Sequence, residues 1–281
     1  MIDSHTHTKY SKHATGSVTE LVEAAISNGI KILTITDHAP FLIDTNNRLL
    51  ESELDSYAKD VLLAQQAYKG HIKILYGMEF DYSVGHSNYV EKLMRNLDLD
   101  FAIGSIHYIE TVNGRVNNWD INKLNTEEYC ELYFEGLEDL IHSNLFNSLG
   151  HVDSILRGGV SERYFWSSLK KLIPKIKAAN LSYEVNCSGM FKSMICHKTG
   201  EPIKNRVAFP NFNVIKMLAD LGMDFTIGSD AHKPEHVGRG IKNAVKELRN
   251  IGVNSLCYYE RGKKNEVNIK ELCEYDVPIR K

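Results

Sequence analysis

The sequence predicts an α/β barrel, a parallel sheet closed on itself and sheathed in helices. Three observations predict it. Short apolar runs alternate with longer amphipathic stretches from end to end, the pattern of β-α units in a parallel sheet. About seven such units follow one another with no linker, low-complexity segment or repeat, which favours a closed ring over an open sheet. The composition is ordinarily globular, with 43% hydrophobic and 25% charged residues, and the length allows one large α/β domain or two smaller ones, of which a single domain over 1–281 is the expectation.

Ile2–His7 reads as the first strand. Ser17-Val18-Thr19-Glu20 carries the capping-box pattern, so a helix follows to Asn28 and Gly29 closes it. Lys31–Thr36, rich in β-branched residues, is the second strand. Helical periodicity spans Leu54–Tyr68 and stops at Gly70; Ile72–Phe80 is the third strand. Tyr89–Leu97 is helical, Phe101–Ile106 is the fourth strand, and Thr126–His142 is a long helix. Phe146–Gly150 is a short fifth strand. Tyr164–Ala179 is a helix that Pro174 would kink or split. Leu181–Asn186 is the sixth strand, Asn211–Leu221 a helix closed by Gly222, and Asp224–Ile227 the seventh strand. A helix over His236–Asn250 and one last strand, Ser255–Tyr259, complete the chain. The irregular stretches 39–51, 108–125 and 187–210 each follow a strand. They should lie on the face where α/β enzymes place active-site loops.

Several function classes are disfavoured. A net charge of -3 gives no basic excess for a nucleic-acid groove. No run approaches the roughly 20 apolar residues of a membrane span. Met1-Ile2-Asp3-Ser4-His5 lacks a basic segment followed by an apolar one. The five cysteines form no C-x-x-C pair, against a disulfide framework or thiolate zinc site. The expectation is a soluble cytoplasmic protein with reduced thiols.

Two clusters, Asp3-Ser4-His5-Thr6-His7 and Gly228-Ser229-Asp230-Ala231-His232, space potential ligands two residues apart. On a strand, such residues point to one face. His38 follows the second strand, and Glu79, His107 and His151 end the third, fourth and fifth. His13 lies in the first loop. These nine residues gather on one rim, while His71, His86, His142, His197 and His236 fall in helices, helix starts or loops. A lone histidine at a strand end is usually a hydrogen-bonded structural residue. The joint placement of His5, His7, Asp230 and His232 points instead to a metal centre. A ligand set without sulfur suits Zn²⁺, Fe²⁺ or Mn²⁺.

His5-Thr6-His7, Thr36-Asp37-His38, Gly77-Met78-Glu79, Gly104-Ser105-Ile106-His107, Gly150-His151 and Gly228-Ser229-Asp230-Ala231-His232 resemble the successive motifs of the PHP (polymerase and histidinol phosphatase) family. The resemblance runs from residue 3 to about residue 240. Thr36-Asp37-His38-Ala39-Pro40 and Gly150-His151-Val152-Asp153 bring it nearest to the stand-alone histidinol-phosphatases. It implies a distorted (β/α)7 barrel with three divalent metal ions, hydrolysing L-histidinol phosphate in histidine biosynthesis. By motif, His5, His7, Glu79 and Asp230 would hold the first metal. Glu79 would bridge to a second held by His107 and His151, and His13, His38 and His232 would hold the third. Glu79, Asp230 and His38 are the implied catalytic groups. Clustered cations would lower the pKa of a bound water and neutralise phosphoryl oxygens.

Bidentate Arg suits phosphate oxygens that metals leave over. Arg157, after His151 and beside Gly158-Gly159, is the first candidate, Arg239 the second; Arg206 and Arg115 follow. Asp37 and Asp153 could orient the imidazoles of His38 and His151, or cap the helices behind them. The ammonium and imidazole of the substrate want acids or aromatics. Phe41, Tyr108, Glu110, Trp119 and Asp120 are placed to supply them. Other readings are a family member acting on nucleotides or polynucleotide ends, a non-catalytic metal-binding scaffold, and amidohydrolase-like carbon–nitrogen hydrolysis. The full ligand set argues against the second. The lack of an evident carboxylated-lysine strand argues against the third.

Overall fold

A computed structural model describes residues 1–112, 114–118, 126–196, 199 and 201–273. Its first half contains β1 (Ile2–Asp3), α1 (Val18–Ser27), β2 (Ile32–Ile35), α2 (Leu54–Ala67), β3 (Lys73–Asp81), α3 (Ser87–Met94), β4 (Phe101–Ser105), β5 (Tyr108–Thr111), β6 (Gly114–Asn117) and α4 (Thr126–Ser143). The second half continues with β7 (Ser148–Leu149), α5 (Glu162–Ala178), β8 (Ser182–Asn186), β9 (Ser193–Ile195), β10 (Pro202–Val207), α6 (Phe212–Asp220), β11 (Phe225–Gly228), α7 (Ile241–Asn250), β12 (Ser255–Glu260), β13 (Lys263–Asn268) and α8 (Ile269–Cys273). Seven strands form one sheet in the order β1-β2-β3-β4-β7-β8-β11, and every neighbouring pair is parallel. The expected seven-stranded α/β barrel is present.

The ring closes between its first and last strands. Ser4 N donates to Ile227 O at 2.9 Å, Asp230 N to His5 O at 2.8 Å and His7 N to Ala231 O at 2.8 Å. Buried Asp3 is the clasp of this seam. Its carboxylate accepts from Ser229 N (2.8 Å), Ser229 Oγ (2.6 Å) and Gly238 N (2.8 Å). Gly228 permits the approach, since a Cβ there would stand 2.3 Å from His5 Cβ.

Helices cover the outside with one apolar face each. The Ser17–Glu20 capping box starts α1, which buries Val18, Leu21, Val22 and Ala25 at the i, i+3, i+4, i+7 spacing. Pro174 neither kinks α5 to a break nor splits it; the helix is continuous from Glu162 to Ala178. Pro174 and Lys170 are both exposed, so the carbonyl that the proline leaves unbonded faces water. The last helix starts later than expected. Pro234–His236 is a separate 3-10 turn, and Gly238 and Gly240, at φ 76° and 84°, delay α7 to Ile241.

Two further departures concern strands. The irregular stretches after the fourth and sixth strands contain the antiparallel hairpin β5–β6 and the antiparallel pair β9–β10. The expected last strand, β12, does not join the barrel but pairs antiparallel with β13. Its Cys257 and Tyr259 pack with Phe101 and Ile103. Arg261 N and Gly262 N at the hairpin turn donate to Asp100, just before β4. The hairpin thus plugs the barrel at the N-terminal ends of its strands. The opposite end is left for the site.

Asp3→Ala strands the Ser229 and Gly238 donors in the interior. The expected loss is about 3 kcal/mol or more of unfolding free energy, read as a lowered urea midpoint at unchanged m-value. An unchanged midpoint would remove Asp3 as the clasp.

Candidate metal centre

Glu79 stands near the C-terminal end of β3 with only 1% of its side chain exposed, and imidazoles converge on it. Its Oε2 lies 3.2 Å from His5 Nε2, 3.5 Å from His7 Nε2 and 3.0 Å from His38 Nδ1. Its Oε1 lies 2.9 Å from His151 Nε2 and 3.6 Å from His107 Nε2, and accepts from Ser105 Oγ at 2.7 Å. Asp230 Oδ1 is 3.3 Å from His7 Nε2 and 3.4 Å from His232 Nδ1. His232 Nε2 is 2.9 Å from His13 Nε2. All nine residues that the sequence placed on the rim come together.

Three of the rings, those of His5, His7 and His107, are oriented by a partner on the nitrogen that faces away from Glu79. Glu184 Oε1 faces His5 Nδ1 at 2.6 Å, and Asp81 Oδ1 faces His107 Nδ1 at 2.5 Å. A carboxylate there fixes the proton on Nδ1 and turns the Nε2 lone pair to the centre. Ser11 Oγ donates to Asp37 at 2.6 Å, so it can only accept from His7 Nδ1, 3.2 Å away; His7 takes the same tautomer. The other oxygen of Glu184 accepts from His151 N at 2.8 Å. His151 and Asp230 hold φ values of 27° and 51°, uncommon for side-chain-bearing residues. Such strain persists where the surroundings over-determine it.

The electrostatics suit a cation. Burial opposes the charge on Glu79, yet His38, His5 and His107 outweigh it and hold the carboxyl well below the usual range. Burial opposes ionisation of Asp230 too, and His5 and His7 overcome it. Burial pushes His7 down to about 3 and His38 well below its ordinary value, whereas Glu184 and Glu79 outweigh burial and raise His5. His5 Nε2, His7 Nε2 and His38 Nδ1 are buried without a hydrogen-bond partner, although each aims at Glu79. Buried nitrogens left this way carry a desolvation cost that a coordinated ion removes. Three groups bring ligand atoms within 4.8 Å of one another: His5, His7 and Asp230; His7, His38 and His232; and His38, Glu79 and His107. The donor set is that of a divalent-metal site. His38 stands between the second and third of the expected metals.

A family model described as PHP domain matches residues 3–188. The chain belongs to this family. It is 29% identical over 275 residues to a "probable histidinol-phosphatase" of Deinococcus radiodurans, covering 93% of this chain and 97% of that protein. A protein of the same name from Schizosaccharomyces pombe is 25% identical over 281 residues, covering 93% and 90%. Among solved structures, the histidinol phosphate phosphatase of Lactococcus lactis, complexed with zinc, L-histidinol and phosphate, superposes with a TM-score of 0.78. It shares 18% identity, and the match covers 94% of this chain and 98% of that one.

This PHP centre opens into a cavity of about 330 Å³, lined by the converging residues other than His5 and His7, together with Asp44, Asn47, Arg48, Tyr108, Asn117 and Lys192. Arg157 does not line it; its Nε donates to Ser193 O at 3.3 Å. Arg239 lies over the Phe191 ring, 3.5 Å from its centroid, in an adjoining cavity that shares Lys192, Asp230 and His232. Arg115 pairs with Glu110, and Arg206 is exposed on β10. Of the expected cation readers, Tyr108 lines the cavity and Phe41 packs behind it, ring centroids 5.9 Å apart. Glu110 does not line it. Trp119, Asp120 and His197 lie outside the described residues. Asp37 braces the loop that carries Ser11, accepting from Thr8 and Ser11, and touches neither ring nitrogen of His38. Asp153 accepts from Asn211 N at 2.7 Å, not from His151.

The orienting residues Glu184, Asp81, Ser11 and Arg48 escaped the sequence reading. Asp81 had a signal, being two residues beyond Glu79 on one strand face. So had Glu184, a carboxylate inside an apolar strand. Arg48, which clamps Asp81 through Nε and through Nη2 at 3.0 Å, sits in a loop with no periodicity to betray it.

Glu184→Gln loses the charged partner of His5. Metal affinity should fall between about 10- and 100-fold, measured by chelator competition with elemental analysis. Asp153→Asn should leave it at the wild-type level. Equal losses would reject the assignment of Glu184.

Proposed function

We propose that this chain is a histidinol-phosphatase, a phosphoric monoester hydrolase that converts L-histidinol phosphate to L-histidinol and phosphate in histidine biosynthesis. The observation that carries the reading is the coincidence of two things. Residues of metal-ligating type converge around Glu79 in three overlapping groups, and the named relative matches over 93% of this chain and 97% of its own length. Among the described residues no helix is long and apolar enough to cross a membrane. The cavity suits a small phosphomonoester rather than a polymer.

His5, His7, Glu79 and Asp230 would hold one ion, His107 and His151 a second with Glu79 between, and His13, His38 and His232 a third, as Zn²⁺, Fe²⁺ or Mn²⁺. Bound ions of this kind supply a nucleophile at neutral pH and neutralise phosphoryl charge. The chain does the rest. Glu79 and Asp230, buried and ionised, fix the negative charge that gathers the cations; His38 ties the groups together. Glu184, Asp81 and Ser11 hold the protons of His5, His107 and His7 away from the centre. Lys192 reaches the cavity wall beside Asp230 and His232, with its Nζ 3.1 Å from Ser188 Oγ, and offers the cation nearest a bound phosphoryl group. Arg239 adds positive charge next to it. This role passes to Lys192 from Arg157, which faces elsewhere.

The test is phosphate release with each metal in turn, from L-histidinol phosphate and from nucleoside monophosphates. The expected order is strong preference for histidinol phosphate; preference for nucleotides would overturn the reading. Lys192→Met should raise KM more than Arg157→Ala does, at unchanged metal content. Asp230→Asn and His232→Ala should each lose a different ion by elemental analysis. Loss of the same ion would undo the partition of ligands.

A further inference from the structure

Three carboxylates line the central cavity: Glu79, Asp230 and Asp44. The first two are metal ligands. Asp44 stands apart from them, and no motif or periodicity marks it in the sequence. It lies in the loop after β2, with 12% of its side chain exposed, facing the cavity beside Tyr108.

Its surroundings hold it charged and in place. Tyr108 OH donates to Asp44 Oδ2 at 2.7 Å, Asn47 N to Oδ1 at 3.2 Å, and Asn47 Nδ2 to both oxygens at 3.1 and 3.0 Å. Burial would raise its pKa, but these donors and Arg48 outweigh burial and keep the carboxyl below the usual range. Arg48 Nη1 is 3.7 Å away, yet that guanidinium is committed elsewhere: its Nε and Nη2 both bond Asp81. Two carboxylates thus share one cation, leaving a net negative charge on the cavity wall. A carboxylate on a cavity wall that only shares its cation with a second carboxylate attracts a further cation from the ligand.

The position is as informative as the charge. Asp44, Arg48, Asp81 and His107 form a chain of contacts that ends on a metal ligand, so Asp44 stands a short molecule's length from the centre. Lys192, the cation on the phosphate side, follows β8. In the strand order, β2 and β8 are across the ring from one another. The cavity is therefore bipolar, cationic beyond His232 and anionic at Asp44, with the Tyr108 ring beside the anionic end.

We propose that Asp44 binds a primary ammonium group of the substrate, so that the enzyme selects phosphomonoesters of amino alcohols over their des-amino counterparts. The inference rests on the phosphomonoesterase reading of this centre and names what distinguishes its substrate. Asp44 is a specificity residue and takes no part in bond cleavage. A merely structural Asp44, tethering its loop to Tyr108, would affect all substrates alike.

The experiment compares matched pairs on the metal-loaded full chain: L-histidinol phosphate with imidazolylpropanol phosphate, and phosphoethanolamine with ethyl phosphate. The wild type should favour the amino member of each pair in kcat/KM by about tenfold or more, the scale of one charge-assisted hydrogen bond. Asp44→Asn keeps the size and an acceptor for Tyr108 but loses the charge, and should collapse that ratio toward one, chiefly through KM. Asp44→Glu should restore part of it. A wild-type ratio near one, or a ratio that survives Asp44→Asn, overturns the inference. Amino preference for phosphoethanolamine without activity on histidinol phosphate would sustain Asp44 and reject histidinol-phosphatase instead.

Discussion

One buried carboxylate organises this molecule. Glu79 sits at the middle of the barrel mouth with imidazoles on both of its oxygens. An ionised carboxylate in such a place is costly unless it is paired and hydrogen-bonded. Among the imidazoles around it, His5, His7 and His38 each turn toward it a buried nitrogen that has no hydrogen-bond partner. The arrangement makes sense as a receptacle for cations, and it repeats outward. Beyond the imidazoles come carboxylates again, Glu184 and Asp81, and beyond Asp81 the guanidinium of Arg48. Alternating donors and acceptors from the centre to the wall let one fold bury many polar groups with partners.

The seam of the barrel runs through this receptacle. His5 and His7 extend from the first strand, Asp230 and His232 from the last, and the backbone bonds that join the two strands interleave with these residues. Closure and metal binding are therefore one event at two scales. Asp3 fastens the seam from below, while Gly228 leaves room for His5 and for Glu184, whose Oε1 would lie 2.9 Å from any Cβ there. The glycine of the Gly-Ser-Asp-Ala-His motif is thus a packing requirement of the ligands, separate from their chemistry.

This explains what could be read in the sequence. The seven barrel strands are short apolar runs bounded by caps and glycines, and their ends carry the ligands, so periodicity located both. The hairpins β5–β6 and β9–β10 were invisible because they are short, largely polar and only half-covered, with no apolar face to set a period. The last strand was visible but its destination was not. Cys257 and Tyr259 alternate as a barrel strand would, yet the ring was already full, and they fill its floor instead. The orienting groups failed for a third reason. Whether Asp37 or Asp81 reaches a ring nitrogen depends on angles of approach that sequence adjacency does not encode. Proximity in sequence pointed to Asp37 and Asp153; the structure uses Asp81 and Glu184.

The same distinction separates reaction from selection. Most of the converging residues stand at or just beyond strand ends, whose positions the ladder fixes, so their motifs were legible. The cavity walls come from the segments after β2, β4 and β8, which carry Asp44, Arg48, Tyr108 and Lys192. These segments lie outside the barrel ladder and hold their shape by small antiparallel pairs of their own and by side-chain contacts such as Tyr108 to Asp44 and Arg48 to Asp81. A change in one loop can then alter which molecule is held without disturbing the ions that act on it. The link from Asp44 through Arg48 to His107 ties the two layers together at one point. There, the wall at Asp44 is joined through Arg48 and Asp81 to a ring that faces Glu79.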